Sequence, residues 1–453
     1  MLTILHQPWQ IMQYGLVKFA RNVKFKSMKN FFSISLLLLV LFACTKKEQV
    51  ATKPLTAFTG ATIIDGNGGE PVRDGVLLIE DGRIVSVGSK GNITLPENTT
   101  IHDVTGKTIM PGLINAHGHV GEVKGIEGGH YSRENIIDNL SIYARYGVTS
   151  VISLGGDQQD AESLRDVNDS TPTQRARLFI AGAIVNGKNE EEAIQVVNSN
   201  DSMGVDFMKI RVDDNLGTAP KMPEEIYRAV IKRSHELGYK IASHMYYMED
   251  ARKLVDAGTD MLAHSVRDLP VDDAFIQLVK TKQVPYCPTF TRELSTFVYG
   301  DTPDFFSDPF FLQEYDSLTI QPLKDPARQK KIRESQSAIT YKKQLPTAMA
   351  NLKKLHDAGV PIVFGTDSGV PTRFIGYFEH LELSMMAEAG LTPMQIIVSA
   401  TKNPAQYMGL KDTGTLQKGK RADFIVLDAD PLVDIKNTRH IAAVFIGGVE
   451  VKR

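Results

Sequence analysis

Ile109-Met110-Pro111-Gly112-Leu113-Ile114-Asn115-Ala116-His117-Gly118-His119-Val120 is the stretch whose reading decides the fold. It reads as an apolar strand ending in two histidines one residue apart, and strand alternation sends both imidazoles to one face. Two such rings can grip one metal ion. A catalytic site needs further ligands and an open position for water, so partners are expected elsewhere in the chain.

Downstream, apolar strands alternate with amphipathic helical stretches, the pattern of βα units and a parallel sheet. Strands are predicted over 147–154, 176–184, 205–212, 240–245, 260–266, 284–291 and 361–366. Helices are predicted over 161–166, 223–237, 248–257, 272–281 and 347–358, several closing on Ala-Gly or Leu-Gly as C-termini should. With the first strand, about eight units give an α/β chain folded as a (β/α)8 TIM barrel, whose chemistry lies at the C-terminal strand ends.

The flanks have a different texture. Thr62-Ile63-Ile64-Asp65-Gly66, Val76-Leu77-Leu78-Ile79 before Asp81-Gly82, and Ile84-Val85-Ser86-Val87-Gly88 predict a small antiparallel sheet. Short β-rich runs return in 422–427 and 441–451, with a hairpin at Ile446-Gly447-Gly448-Val449, so both ends are expected to build one small β-sandwich. The resulting organisation is a leader and signal over 1–43, a tether over 44–56, sandwich over 57–113, barrel over 114–407 and the second sandwich part over 408–453.

One segment breaks the rhythm. About 70 residues separate the seventh strand from the eighth and carry Phe297, Tyr299, Phe305, Phe306, Phe310, Phe311 and Tyr315. Two readings are equally open: a lid over the barrel mouth, or an aromatic patch against a second copy in a homo-oligomer.

At 453 residues, 42% hydrophobic and 23% charged, the chain has a globular composition. A net charge of -2 and the absence of a long basic run leave no footprint for nucleic acid, which favours a small-molecule substrate. Cys44 and Cys287 lie in unlike contexts, so no disulfide joins them in this reading. The apolar run 31–43, preceded by Met28-Lys29-Asn30, is shorter than the about 20 residues a membrane span needs and reads as a signal-peptide core. Leu41-Phe42-Ala43-Cys44 resembles a bacterial lipobox, which predicts lipidation at Cys44 and an exported lipoprotein anchored in a membrane, facing the periplasm or cell surface. The alternative is an ordinary cleaved signal. Residues before Met28 lack pattern, so the natural start is expected at Met28.

At the predicted strand ends stand Lys209, after Asp206-Phe207-Met208; His244, after Ile241-Ala242-Ser243; His264, after Met261-Leu262-Ala263; and Asp367, after Phe364-Gly365-Thr366. Singly, each reads as a packed or snorkelling side chain. Together with His117 and His119 they read as a metal site. His130, in the loop after the first strand, is a candidate substrate contact, and Arg211 and Arg373 are candidates for a substrate carboxylate or, more blandly, surface ion pairs.

Four pieces carry a family resemblance: Pro111 to His119, Gly365-Thr366-Asp367-Ser368-Gly369, Ala400-Thr401-Lys402-Asn403-Pro404-Ala405, and Gly414 to Asp423. On these the chain resembles the amidohydrolase superfamily of metallo-dependent hydrolases, in its imidazolonepropionase-like and prolidase-like branch. The resemblance implies that His117, His119 and Asp367 hold a more buried metal and His244 and His264 a second. It also implies that Lys209, carboxylated by carbon dioxide, bridges two divalent ions, expected to be zinc; one metal beside an unmodified lysine is the alternative. Asp367 would take the proton of the attacking water and pass it to the leaving nitrogen. Tyr246 occupies the place where related dipeptidases set a substrate-contacting His or Tyr, with its hydroxyl toward the oxyanion.

The expected activity is metal-dependent cleavage of an amide in a small substrate such as a dipeptide or N-acyl amino acid. Alternatives are a cyclic amide, a lactone or an organophosphoester, and, outside catalysis, a binding lipoprotein on the same scaffold. A deaminase is disfavoured because Tyr247 stands where deaminases of this superfamily carry an acid.

Overall fold

The computed structural model describes residues 54–169 and 174–453. The leader, the lipobox at Cys44 and most of the tether lie outside the described residues.

Both chain ends enter one eight-stranded sheet. Its strands are β1 (Leu55–Ile63), β2 (Val72–Glu80), β3 (Arg83–Ser89), β4 (Thr99–Asp103) and β5 (Thr108–Pro111) from the first end. After seven further strands in chain order, the second end adds β13 (Phe424–Leu427), β14 (Ile441–Ile446) and β15 (Val449–Glu450). The order is β15-β14-β13-β5-β1-β2-β3, with β4 also on β1. The predicted hairpin is present, pairing Ile446 with Val449. The all-antiparallel expectation is corrected, because β1 runs parallel to both β4 and β5. Phe58, Phe424 and Phe445 lock the two ends together: the last two rings stack at 4.5 Å and Phe58 meets both edge-on at 5.0 and 4.9 Å. The run Val76 to Ile79 is apolar throughout because both faces of β2 are covered, Leu77 and Ile79 by this cluster and Val76 and Leu78 by another.

Between the ends lie two parallel sheets. One orders β6 (Leu113–Gly118), β7 (Val148–Ser153) and β8 (Arg177–Ile180); the other orders β9 (Phe207–Arg211), β10 (Lys240–His244), β11 (Met261–Ala263) and β12 (Tyr286–Cys287) in sequence. Helices α1 (Arg133–Arg145), α2 (Gln159–Arg165), α3 (Glu190–Met203), α4 (Glu224–Glu236), α5 (Met248–Ala257) and α6 (Asp273–Lys282) alternate with them. Neither α1 nor α3 is among the sequence-predicted helices, though both carry caps: Ser132 accepts from the Asn135 amide, and Asn189 from Glu192.

The predicted strand over 361–366 is an extended segment held by isolated bridges, Tyr286 to Ile362 on one side and Gly118 to Ser368 on the other. Its ladder breaks because the Phe364 amide donates to the Ser399 carbonyl while the Asp367 amide turns to the His117 carbonyl. Gly365 is required here: a Cβ would stand 2.5 Å from Cys287 Sγ and 2.7 Å from His117 Cβ.

The aromatic segment after β12 is no exposed patch. Tyr299, Phe306, Phe310, Phe311 and Tyr315 are buried, and Phe311 and Tyr315 pack on Phe374 at 4.9 and 4.7 Å. Arg145 and Tyr146 clasp the segment through Glu314 and the Phe310 carbonyl. The following helix, Gln336–Asp357, begins well before the predicted 347. Among the described residues no helix is long and apolar enough to cross a membrane.

Candidate active site

Strands β6, β9, β10 and β11 and the extended segment before Asp367 bring the six residues expected as ligands to one place. His119 Nε2 lies 2.8 Å and His117 Nε2 3.4 Å from Asp367 Oδ1, and Lys209 Nζ lies 3.2 Å from His117 Nε2. The His264 ring is 4.7 Å from that of His117 and 4.2 Å from that of His244. One ligand atom each from His117, His264 and Asp367 falls within 4.8 Å of the others. His264 (φ 77°), Asp367 (φ 59°) and Thr289 (φ 51°) are held in the left-handed region, a backbone cost that the surrounding contacts offset.

Three rings are fixed through one nitrogen. His119 Nδ1 is 3.0 Å from the Gly155 carbonyl, His244 Nε2 is 2.8 Å from Asp213 Oδ2, and His264 Nδ1 is 2.7 Å from Thr289 Oγ1. This arrangement frees the second nitrogen of His244 and of His264 for a metal, as ligating histidines require, while His119 Nε2 faces Asp367 Oδ1. His117 Nδ1 is buried with no hydrogen-bond partner among the described residues.

Two glutamates on the helix Tyr377–Glu388 hold the loops that carry these groups. Glu379 Oε1 accepts from Asn115 Nδ2 at 2.8 Å and from the hydroxyls of Thr366 and Ser368, both at 2.6 Å, bracketing Asp367. Glu382 accepts from the amides of Phe290 and Thr291 at 2.8 and 2.7 Å, just beyond Thr289. Sequence reasoning missed both, although two acids three residues apart in an apolar helix are a signal of buried polar work.

Burial keeps the bases neutral. Desolvation lowers His117 and His264 well below the usual imidazole range and His244 to about 3. It also lowers Lys209 to about 8, so an appreciable fraction of its amine is uncharged near neutral pH. For Asp367 burial acts upward, but the Arg373 guanidinium and the His117 and His119 rings outweigh it and hold the carboxylate well below its ordinary value. Neutral imidazoles, an ionised carboxylate and a deprotonatable amine at one buried point are a donor set that fits a divalent ion.

The expected substrate contacts stand as follows. Arg373 is committed to Asp367 Oδ2, with its Nε on Ser295 Oγ. Arg211, with a side chain 42% exposed, bonds Asn215 and sits 3.7 Å from Asp213. His130 is exposed, 3.8 Å from Glu127. Tyr246 is buried beside His244 and donates its hydroxyl to Gln344 of the helix Gln336–Asp357. Also missed were Arg267 and Tyr341, which lie against Tyr246, and Arg292 and Glu293, which join them through Tyr341 and Arg267. They lie on a loop and two helices that carry no periodic signal pointing inward.

Comparison with known proteins adds to this geometry. A family model described as Amidohydrolase family matches residues 108–451. A 5-methylthioadenosine/S-adenosylhomocysteine deaminase of Bacillus cereus is 24% identical over 398 residues, 82% of this chain and 85% of that protein. Among solved structures, a prolidase candidate from Bifidobacterium longum is 25% identical with a TM-score of 0.70, covering 89% of this chain and 95% of its own. A Xaa-Pro dipeptidase with methionine bound in its active site is 23% identical, TM-score 0.68, covering 88% and 100%, a likeness of fold.

Proposed function

The chain belongs to the amidohydrolase family and is a hydrolase acting on carbon–nitrogen bonds; on that premise we propose that it cleaves the amide of a small substrate such as a dipeptide or N-acyl amino acid. The observation that carries this reading is the convergence of His117, His119, Lys209, His244, His264 and Asp367 at one place.

In this reading His117, His119 and Asp367 hold one divalent ion and His244 and His264 a second, with zinc suiting the imidazole-rich donors. When bound, such ions polarise a carbonyl and lower the pKa of water from 15.7 toward about 7. The rest falls to the protein. The neutral Lys209 amine adds to carbon dioxide, forming a nitrogen–carbon bond and losing one proton, and the resulting carbamate offsets cationic charge where an ammonium would oppose it. Asp367 is ionised, so its carboxylate can take the proton of the attacking water and return it to the leaving nitrogen. Arg373 keeps that carboxylate oriented. The Tyr246 hydroxyl, which donates to Gln344, is the group that would meet the oxyanion.

A second reading is deamination of a purine thioether, the activity named for the Bacillus cereus relative. Against it stands Tyr247, three residues past His244, whose hydroxyl binds Asp214. Purified, zinc-loaded protein offered a broad set of dipeptides and N-acyl amino acids, with Asp367→Asn as control, separates the readings. Turnover lost in the control supports amide cleavage. Silence toward the set, with ammonia released from the purine thioether, overturns it; silence toward both moves the search to cyclic amides, lactones and phosphoesters, or to a binding lipoprotein.

We also propose that the three- and four-stranded parallel sheets and the segment 362–368 close a (β/α)8 barrel, supported by the bridges Val185 to Ile210, Tyr286 to Ile362 and Gly118 to Ser368. Coverage of both faces of β2 supports a separate β-sandwich. From Leu41-Phe42-Ala43-Cys44 we propose export and lipidation at Cys44. Incorporation of labelled palmitate into the wild type, lost in Cys44→Ala, is the test.

A further inference from the structure

Beside the six convergent residues lies a second buried cluster that the mechanism above does not use. Helix α7 (Phe290–Ser295) follows β12 and carries Arg292 and Glu293, while Arg267 comes from the loop after β11. Both guanidiniums lean on one carboxylate oxygen: Arg292 Nη1 donates to Glu293 Oε2 at 3.0 Å, and Arg267 Nε lies 3.2 Å from the same atom. Arg267 is 1% exposed and Glu293 0%, whereas Arg292 keeps 8% open.

Two positive groups share one carboxylate oxygen, with Asp213 facing Arg267 and Asp367 facing Arg292 as further negative charges. The polar accounting is short in the same place. Arg267 Nη2 and Glu293 Oε1 are buried without a hydrogen-bond partner among the described residues. Burying a polar atom without a partner is costly, and a fold retains such a cost where a bound ligand offsets it.

Aromatic rings flank both guanidiniums. Arg292 lies 4.7 Å from the centre of the Tyr341 ring, and Arg267 lies 4.4 Å from that of Tyr246 and 5.3 Å from that of Tyr341. Planes stacked on aromatic faces keep their edges for in-plane, two-pronged contact with a carboxylate. The cluster borders the convergent histidines, since the Arg292 charge is among the causes that lower His244 and His264.

We propose that Arg292, braced by Glu293, Arg267 and Tyr341, binds the carboxylate of the substrate, so that the enzyme selects amides whose leaving or acyl portion ends in a free carboxylate. This rests on the amide-cleaving reading of the preceding subsection. It transfers to Arg292 the part that the sequence suggested for Arg211 and Arg373.

The test compares N-benzoylglycine with its uncharged primary amide, both as substrates and as ligands, on wild type, Arg292→Met and Arg292→Lys. Methionine keeps packing on Tyr341 and leaves Arg267 to pair with Glu293, so the variant is expected to fold and to melt close to the wild-type temperature. The wild type is expected to prefer the acid roughly 10- to 100-fold in kcat/KM, and Arg292→Met to lose that preference through the acid alone. Arg292→Lys should recover part of it. Equal handling of acid and amide by the wild type, or an unchanged preference in Arg292→Met, overturns the proposal.

Binding is read independently of turnover, as the rise in melting temperature of the metal-free protein with each compound. A rise with the acid in wild type only, with no hydrolysis across the dipeptide and N-acyl amino acid set, supports the carboxylate pocket while removing the amide-cleaving reading. No difference in rise between wild type and Arg292→Met removes the pocket.

Discussion

The sheet made from the two chain ends and the strand ends that carry the histidines are both buried, and they bury opposite things. In the sheet, Phe58, Phe424 and Phe445 pack ring on ring in an apolar cluster, the arrangement that favours folding most directly. At the strand ends, Lys209, Asp367, Arg267, Glu293, Glu379 and Glu382 are buried, and His264, Thr289 and Asp367 carry positive φ. One region supplies stability and the other spends it on holding reactive groups in place. Substitutions should therefore separate the two: damage in the sheet should lower stability and spare chemistry, while damage at the strand ends should do the reverse.

The largest expected effect is Phe424→Ala, which should cost about 3–5 kcal/mol of unfolding free energy, read by denaturant titration, with kcat per folded molecule unchanged. A loss of kcat beyond the loss of folded protein would break the comparison. Next is Lys209→Met, expected to lower kcat/KM by roughly 100-fold or more while the unfolding midpoint holds or rises. Its pH signature is specific. The unfolded lysine holds its proton to about 10.5 and the folded one only to about 8, so wild-type stability should increase with pH between those values, and Lys209→Met should abolish that increase. Carbamate formation, followed by carbon-13 NMR with labelled bicarbonate, should rise with pH up to about 8 and level off above it.

Asp213→Asn comes third. It keeps the shape beside His244 Nε2 and removes the charge, so chelator competition should show metal affinity about 10- to 100-fold weaker with little change in fold. The smallest effect is expected for Arg211→Ala, whose half-exposed ion pair contributes at most about 1 kcal/mol. Its KM for a carboxylate substrate should stay within about twofold of wild type; a larger rise would return to Arg211 the role assigned to Arg292.

What the sequence made legible follows the same division. His117, His119, Lys209, His244, His264 and Asp367 each close an apolar run, and a titratable residue at the end of a strand has a direction that alternation alone predicts. Arg292 and Glu293 sit on a one-and-a-half-turn helix, where no period is long enough to assign a face. Phe311 and Tyr315 read equally as a lid or an oligomer contact because their partner, Phe374, lies far along the chain and local pattern cannot name it. The interval 361–366 looked like an ordinary strand, since apolar composition does not reveal that the Phe364 amide is diverted to Ser399.

Glu379 and Glu382 have a mechanical consequence. They stand three residues apart on one helix, a separation of about 4.5 Å along its axis, and each grips a different loop. The loop bearing Asp367 and the loop bearing Thr289 are thereby tied to a common ruler. A shift of that helix along its axis carries both loops together and preserves their spacing, whereas a bend between the two glutamates changes it. The distance between the carboxylate of Asp367 and the ring of His264 is thus gauged by a single turn of α-helix lying outside the pocket it calibrates.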